Sequence, residues 1–322
     1  MTKAGIFILT QNTPERKIYL KTCLYFLFKN FNQYYRYPVI ILHEDYDIKS
    51  QEEIVRSVRA ECIHLVSFLK IDKEDFEIPD FIDKEKLNKA IETFPTPYWR
   101  NIRYRLMCRF WLINFYKYCK NYDYYMRIDD DGFIEEKINN DLFKLMEDKD
   151  IKYISNIIHI DCGICCYKMR DFFEINVPDK KDELKNIFTD AKLPLDNQHF
   201  LKFKNTYKIV EGKDFDDEEF KVSMPLMYYN NFMLTDISFW NRPEILDLVN
   251  KIDKEGNIFY YRYGDAPIQT ILIMLFEPNK ISRTVFKYSK RLQRESFIDD
   301  NNNIHAYFPN TYRHTSCITY KD

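Results

Sequence analysis

The feature that most constrains the fold is an alternation of strand and helix signals through the first 130 residues. An apolar run, Gly5-Ile6-Phe7-Ile8-Leu9-Thr10, opens the chain and reads as a core strand. Thr13-Pro14-Glu15 then starts a helix towards Phe31, because Pro is preorganised for the first helical turn. Tyr37-Pro38 breaks the chain before a second strand, Val39-Ile40-Ile41-Leu42. Ser50-x-x-Glu53 has the form of a capping box and predicts a helix to about Ala60. Residues 63–68 read as a third strand, and the charged, Pro-punctuated stretch 70–97 as a surface excursion. A long helix with a wide apolar stripe is predicted over Trp99–Tyr118. The fourth strand, Tyr124–Ile128, ends abruptly in Asp129-Asp130-Asp131-Gly132. This order predicts an α/β chain with a mostly parallel twisted sheet and helices on both faces. Ligands in such sheets bind beyond the carboxyl ends of the strands. The second half is less regular, with helices expected at Pro243–Ile252 and Ala266–Leu275.

Composition removes several functions from that class. The 322 residues contain only 6 glycines, about 2% against a usual ~7%. None are spaced as a G-x-G-x-x-G, a Walker loop or a G-x-S-x-G elbow. Phosphates, if bound, must therefore be held by side chains or by a metal. The formal net charge of −2 argues against a nucleic-acid partner. The longest apolar runs, such as Ile271–Phe276, fall far short of the ~20 residues of a membrane span. No leader pattern precedes the first strand, so the chain as given is expected to be soluble or cytoplasmic. Eight cysteines in mainly apolar settings fit reduced, buried thiols. Cys162-Gly163-Ile164-Cys165 is a formal C-x-x-C with no second pair to make a zinc site.

The acidic turn is the sharpest chemical signal. Strand alternation puts Asp129 and Asp131 on one side of the chain and Asp130 opposite. Two carboxylates on one side form a hard-oxygen site for Mn²⁺ or Mg²⁺, ions that complete their shell with substrate phosphates. The D-x-D of nucleotide-sugar transferases has this form; an idle, solvated turn is the alternative. The more acidic run Asp214–Glu219 follows Gly212 in a polar stretch and reads as a solvated loop. A solvated face is also expected for Lys287, Lys290, Arg291 and Arg294. His314, in Tyr312-Arg313-His314, is by itself more often a structural histidine than a ligand.

Seven ordered segments resemble glycosyltransferase family 15, the fungal Golgi α-1,2-mannosyltransferases that extend O- and N-linked mannans. They are Ala4–Asn12, Phe31–Asp45, Tyr104–Phe110 (Y-R-x-M-C-R-F), Tyr125–Asp129, Asn231–Asp236, Phe259–Pro267 and Ile304–His314. Phe259-Tyr260-Tyr261-Arg262-Tyr263-Gly264-Asp265-Ala266-Pro267, close to F-Y-E-R-W-G-D-A-P, is the strongest. The resemblance implies a GT-A fold in one domain over 1–322. It would comprise a Rossmann-like nucleotide-sugar-binding half to about residue 135 and an acceptor-binding, catalytic half beyond. It also implies GDP-mannose as donor, Mn²⁺ (or Mg²⁺), a glycan or glycoprotein acceptor and retention of configuration.

By position, the resemblance places Asp265, Tyr104 and Asp236 at the catalytic centre. Thr10, Gln11, Asn12, Asp45, Arg105 and Asp129 fall against the donor, and His314 joins Asp129 and Asp131 on the metal. Asp265 opens a helix and reads equally as an N-cap or a sugar-facing group. Departures are informative. The family's R-N is Gln11-Asn12 here, and its Glu-Pro is Asp129-Asp130. The glutamate proposed as the family's nucleophile is Met233, whose thioether cannot form a glycosyl ester. The family's Golgi anchor has no counterpart in this sequence. The expected function is a metal-dependent mannosyltransferase. A different nucleotide sugar, such as a UDP-sugar, or a catalytically silent carbohydrate-binding protein are the alternatives.

Overall fold

The structure, a computed structural model, describes residues 2–95, 98–191, 198–216, 222–290, 295–298 and 304–307. Four strands, β1 (Ala4–Leu9), β2 (Val39–His43), β3 (Val66–Lys70) and β4 (Tyr124–Ile128), pair in parallel in the order β3-β2-β1-β4. The chain continues through β5 (Gly132–Ile134), β6 (Tyr153–Ser155), β7 (Ile158–Ile160), β8 (Phe188–Ala191) and β9 (Val222–Tyr228). It then forms β10 (Phe232–Asp236), β11 (Ile281–Arg283) and β12 (Tyr288–Lys290). β10 inserts antiparallel between β4 and β6, and β11 closes the far edge, giving a seven-stranded, mostly parallel sheet. β7, β9 and β8 form a small antiparallel sheet, and β12 pairs with β5.

The strands carry apolar side chains at nearly every position because both faces are covered. Phe7, Ile40, Leu42, Tyr125 and Tyr153 enter one core, under helices Ile102–Arg109, Pro243–Glu255 and Asp265–Phe276. Their neighbours Ile6, Ile8, Ile41, Met126 and Ile154 enter the other, under Pro14–Leu27 and Leu142–Lys149. Successive strand residues point to opposite faces, so one strand feeds both cores. Each side chain buried this fully contributes ~1.5–3 kcal/mol relative to an exposed one.

The first helix, the second and fourth strands and the last two helices fall where the sequence places them. Three expectations are corrected. Asp47, not Ser50, caps the helix Ile48–Val55; its carboxylate accepts from the Ser50 N–H at 2.7 Å. The third strand starts at Val66, because Ala60–Leu65 is a 3₁₀ turn. The stretch 70–97 holds a capped helix, Lys84–Thr93, that buries Leu87 and Ala90. The long helix begins at Ile102 on the Asn101 cap and passes through a π-helical turn at Phe110–Asn114. No helix among the described residues is long and apolar enough to cross a membrane.

Candidate active site

β1 and β4 are neighbours whose connections leave to opposite sides, so a crevice opens beyond their carboxyl ends. A cavity of about 690 Å³ lies there, lined among others by Tyr104, Arg127, Asp129, Asp161, Asp265 and Lys290. Arg127, the penultimate residue of β4, organises it. Its Nη1 donates to Asp265 Oδ2 at 2.5 Å, while Nε and Nη2 both donate to Asp129 Oδ1 at 3.2 Å. The guanidinium also lies over the Trp111 ring, 4.3 Å from its centroid. Asn230 Nδ2 gives Asp265 Oδ2 a second hydrogen bond at 2.7 Å. Gly264, not Asp265, is the N-cap of the helix that follows. The carboxylate of Asp265 is therefore not committed to capping.

The acidic turn closes on two cations. Lys290 Nζ lies 2.5 Å from Asp129 Oδ2 and 3.4 Å from Asp131 Oδ1. Arg16, from the first helix, reaches Asp130 Oδ1 at 2.5 Å and Asp131 Oδ2 at 3.3 Å. Thr10 Oγ1 donates to Asp130 Oδ2 at 2.7 Å. Asp129 and Asp131 thus share Lys290, Asp130 and Asp131 share Arg16, and Asp130 also meets β1 at Thr10. Burial alone would raise the Asp129 carboxyl, but Lys290 and Arg127 outweigh it and hold it well below the usual carboxylate range. Burial, with Asp131 beside it, pushes the Asp130 carboxyl up to about 7 although Arg16 and Thr10 favour its charged form.

Lys290 corrects the expectation of a solvated basic face. It reaches the turn because β12 pairs with β5 in a register that sets Lys290 opposite Gly132. A Cβ on Gly132 would meet Tyr288 Oη at 2.2 Å, so a larger residue there would have to displace the Tyr288 ring. The roles of Arg127, Arg16 and Lys290 escaped the sequence reading; for Lys290, no local pattern marks a cation that finds its partner through sheet pairing.

The remaining expected residues divide. Thr10, Gln11, Asn12 and Asp45 come together where β1 and β2 end: Asn12 Nδ2 donates to the Asp45 carbonyl at 3.3 Å, and the Gln11 carbonyl accepts from Tyr46 Oη at 2.9 Å. Tyr104 lines the cavity, and its hydroxyl accepts from Arg262 Nη1 at 3.4 Å. Arg262 is held in the left-handed region at φ 65°, a conformation that costs a non-glycine residue ~1 kcal/mol or more.

Two expected residues lie outside the cavity lining. Arg105 is fully buried and turns inward, donating to the Phe259 and Arg100 carbonyls. Asp236 pairs with Tyr124 at the start of β4, whereas Phe232 pairs with Ile128 at its end. That leaves ~13 Å of strand between Asp236 and the acidic turn. Its carboxylate holds Lys152 at 2.7 Å and caps the turn Ile237–Trp240, which is a structural role. His314 lies outside the described residues.

Residues 1–289 match the glycolipid 2-alpha-mannosyltransferase family. The chain belongs to that family. Among its relatives, glycolipid 2-alpha-mannosyltransferase 1 of Candida albicans is 25% identical over 256 residues, 78% of this chain and 53% of the relative. Alpha-1,2 mannosyltransferase KTR1 of Saccharomyces cerevisiae is 25% identical over 252 residues, covering 76% and 58%. The chain therefore spans little more than half the length of these relatives. Core-mannan synthase A (CmsA/Ktr4) of Aspergillus fumigatus, solved in an Mn/GDP form, superposes with a TM-score of 0.69 at 20% identity, covering 90% of this chain and 74% of that one. Ktr4p of S. cerevisiae, solved with GDP, gives 0.69 at 20% identity, covering 89% and 71%. The fold is the GT-A fold of these mannosyltransferases.

A divalent cation fits this family member at the acidic turn. Asp129 Oδ2 and Asp131 Oδ1 already converge on one positive centre, the Lys290 ammonium, and both are hard oxygen donors. A metal taking those oxygens must displace Lys290. Replacing Lys290 with Gln is expected to lower the melting temperature of the metal-free protein, because a nearly buried cation is removed from two carboxylates. The same variant should gain more stability on adding Mn²⁺ than the wild type. A smaller gain, read by thermal shift, would show that Lys290 helps to hold the ion instead.

Proposed function

We propose that this chain is a metal-dependent retaining α-1,2-mannosyltransferase that moves mannose from GDP-mannose to a hydroxyl of a glycan or glycoprotein. The observation that carries the reading is that Arg127 ties Asp129 and Asp265 together in the wall of one cavity, at the carboxyl end of β4. Membership of the family and the Mn/GDP form of the Aspergillus relative support the choice of donor and metal. Asp129 and Asp131 would hold Mn²⁺, which would neutralise charge on the departing diphosphate. Thr10, Gln11, Asn12 and Asp45, gathered where β1 and β2 end, would take the donor beside them. Arg127 orients both carboxylates it touches, so the acidic turn and the sugar-facing Asp265 keep a fixed separation. Tyr104, clamped by Arg262, forms the wall against which the acceptor would lie.

A glycosyl ester on position 233 is chemically excluded: Met233 carries no oxygen nucleophile and is fully buried. Same-face attack by the acceptor, with the leaving phosphate taking its proton, is the route we propose for retention. Incubation with Mn²⁺ and GDP-mannose should release GDP and give an α-linked product by NMR. Met233→Leu, close to volume-conserving, should cost under ~1.5 kcal/mol and keep near-normal turnover. An inverted product would sink the same-face route. No transfer and no hydrolysis with any nucleotide sugar would favour the second reading, a silent carbohydrate-binding protein, which Met233 alone recommends.

A further inference from the structure

The C-x-x-C takes no part in this chemistry, yet it stands in the cavity wall. Cys162, Gly163 and Ile164 line the cavity alongside Asp161 and Asp265. Cys162 is partly exposed, whereas Cys165 and Cys166 are buried. The segment folds into a tight turn: the Cys165 N–H donates to the Cys162 carbonyl at 2.9 Å, as does the Cys166 N–H at 3.1 Å. An i to i+3 turn brings the two α-carbons within about 7 Å, the range a disulfide can bridge. Gly163 is needed there, since a Cβ would meet Val222 Cγ1 at 2.1 Å.

The two thiols differ in surroundings: Cys162 is partly exposed and Cys165 is buried. Tyr98 lines the same cavity as Cys162. The neighbouring Cys165 side chain, aided by the Cys165 and Ile164 backbone, brings the Cys162 thiol down to about 7 against the opposing effect of burial. Burial pushes the Cys165 thiol well up, so it keeps its proton while Arg262 Nε donates to its sulfur at 3.1 Å. An accessible, stabilised thiolate beside a buried thiol is the arrangement of an attacking and a resolving cysteine.

We infer that Cys162 and Cys165 form a reactive thiol pair that exchanges with small-molecule disulfides and closes a disulfide in the cavity wall. The Cys162 thiolate attacks one sulfur of the disulfide RS–SR, and RS⁻ leaves. Cys165 sulfur then attacks Cys162 sulfur in the mixed disulfide, and the second RS⁻ leaves. The two protons lost by the cysteines end on the two released thiols. Two protein thiols are oxidised and one external disulfide is reduced. Closure withdraws Cys165 sulfur from Arg262, the residue that clamps Tyr104. The consequence for turnover rests on the proposed transferase reading; the chemistry of the pair does not.

The test is to incubate the native protein with oxidised glutathione, block remaining thiols with iodoacetamide and map the peptides. The expected result is a Cys162–Cys165 disulfide reversed by dithiothreitol, with the buried Cys108 and Cys166 still available for alkylation after unfolding. Cys165→Ser should instead retain glutathione on Cys162, and Cys162→Ser should take up none at either position. The rate at which Cys165→Ser takes up glutathione should be half-maximal near pH 7, where the Cys162 thiol that makes the first attack ionises. Glutathione held on wild-type Cys162 without closure would overturn the proposal, as would both thiols remaining alkylatable. These maps need no catalytic turnover, so they stand whether or not the chain transfers sugar. Fully oxidised protein should release GDP from GDP-mannose about tenfold or more slowly, because a small displacement in a positioning wall is costly. Unchanged release would overturn the link to the site.

Discussion

Replacing Asp131 with Asn is expected to abolish Mn²⁺-dependent donor binding while the fold survives. Asp131 is 6% exposed and its two oxygens face different cations, Lys290 and Arg16. An amide keeps the shape and one acceptor oxygen but removes the charge a hard dication needs. In the wild type, GDP at 100 times its Kd with Mn²⁺ present should add ~2.7 kcal/mol of stability. The variant should show none of that metal-dependent gain, and its turnover should fall about a hundredfold or more, several kcal/mol of lost charge stabilisation. Its unliganded melting point is the control, since a partly unpaired Arg16 and Lys290 will lower it somewhat. A variant that melts lower yet keeps the Mn²⁺-dependent shift would mean that the turn is an ion-pair brace and that the metal sits elsewhere.

The parts of the molecule that were legible in the sequence are those decided by local pattern. Apolar runs such as Ile6–Leu9 and Tyr124–Ile128 can bury both faces only in a helix-covered parallel sheet, and they do. The acidic turn was visible because a core strand rarely ends in three carboxylates without a reason. What escaped depends on register. Lys290 meets Asp129 only through the pairing of β12 with β5, and a stretch of charged residues gives no sign of that. Asp236 looked catalytic beside Met233, but β10 runs antiparallel to β4, and this direction carries it away from the crevice. Arg105 and Arg109 lie on one helix, yet the first is fully buried against the Phe259 carbonyl and the second pairs with Asp253. Helical spacing cannot say which arginine faces a ligand. The helix Lys84–Thr93 was hidden by the prolines around it, although Asp83 supplies an ordinary cap.

Asp265→Asn should separate a catalytic from a bracing carboxylate, with the larger effect on turnover. Asp265 is 4% exposed, and Oδ2 accepts from both Arg127 Nη1 and Asn230 Nδ2. Gly264 caps the helix, so loss of a cap cannot be the reason for any effect. The amide leaves Arg127 with Asp129 as its one remaining charged partner in the cavity, and breaking a buried pair in this way costs on the order of a few kcal/mol. If Asp265 only braces Arg127, that loss appears in the melting temperature, and molecules folded at the assay temperature turn over normally. If it faces the transferred sugar, removing a preorganised charge where positive charge develops should lower kcat by about a hundredfold or more, with GDP affinity nearly kept. Asn230→Ala provides the contrast, since it loosens the same carboxylate without neutralising it and should lower kcat far less. Turnover per folded molecule of Asp265→Asn within about threefold of wild type would reduce Asp265 to a support for Arg127.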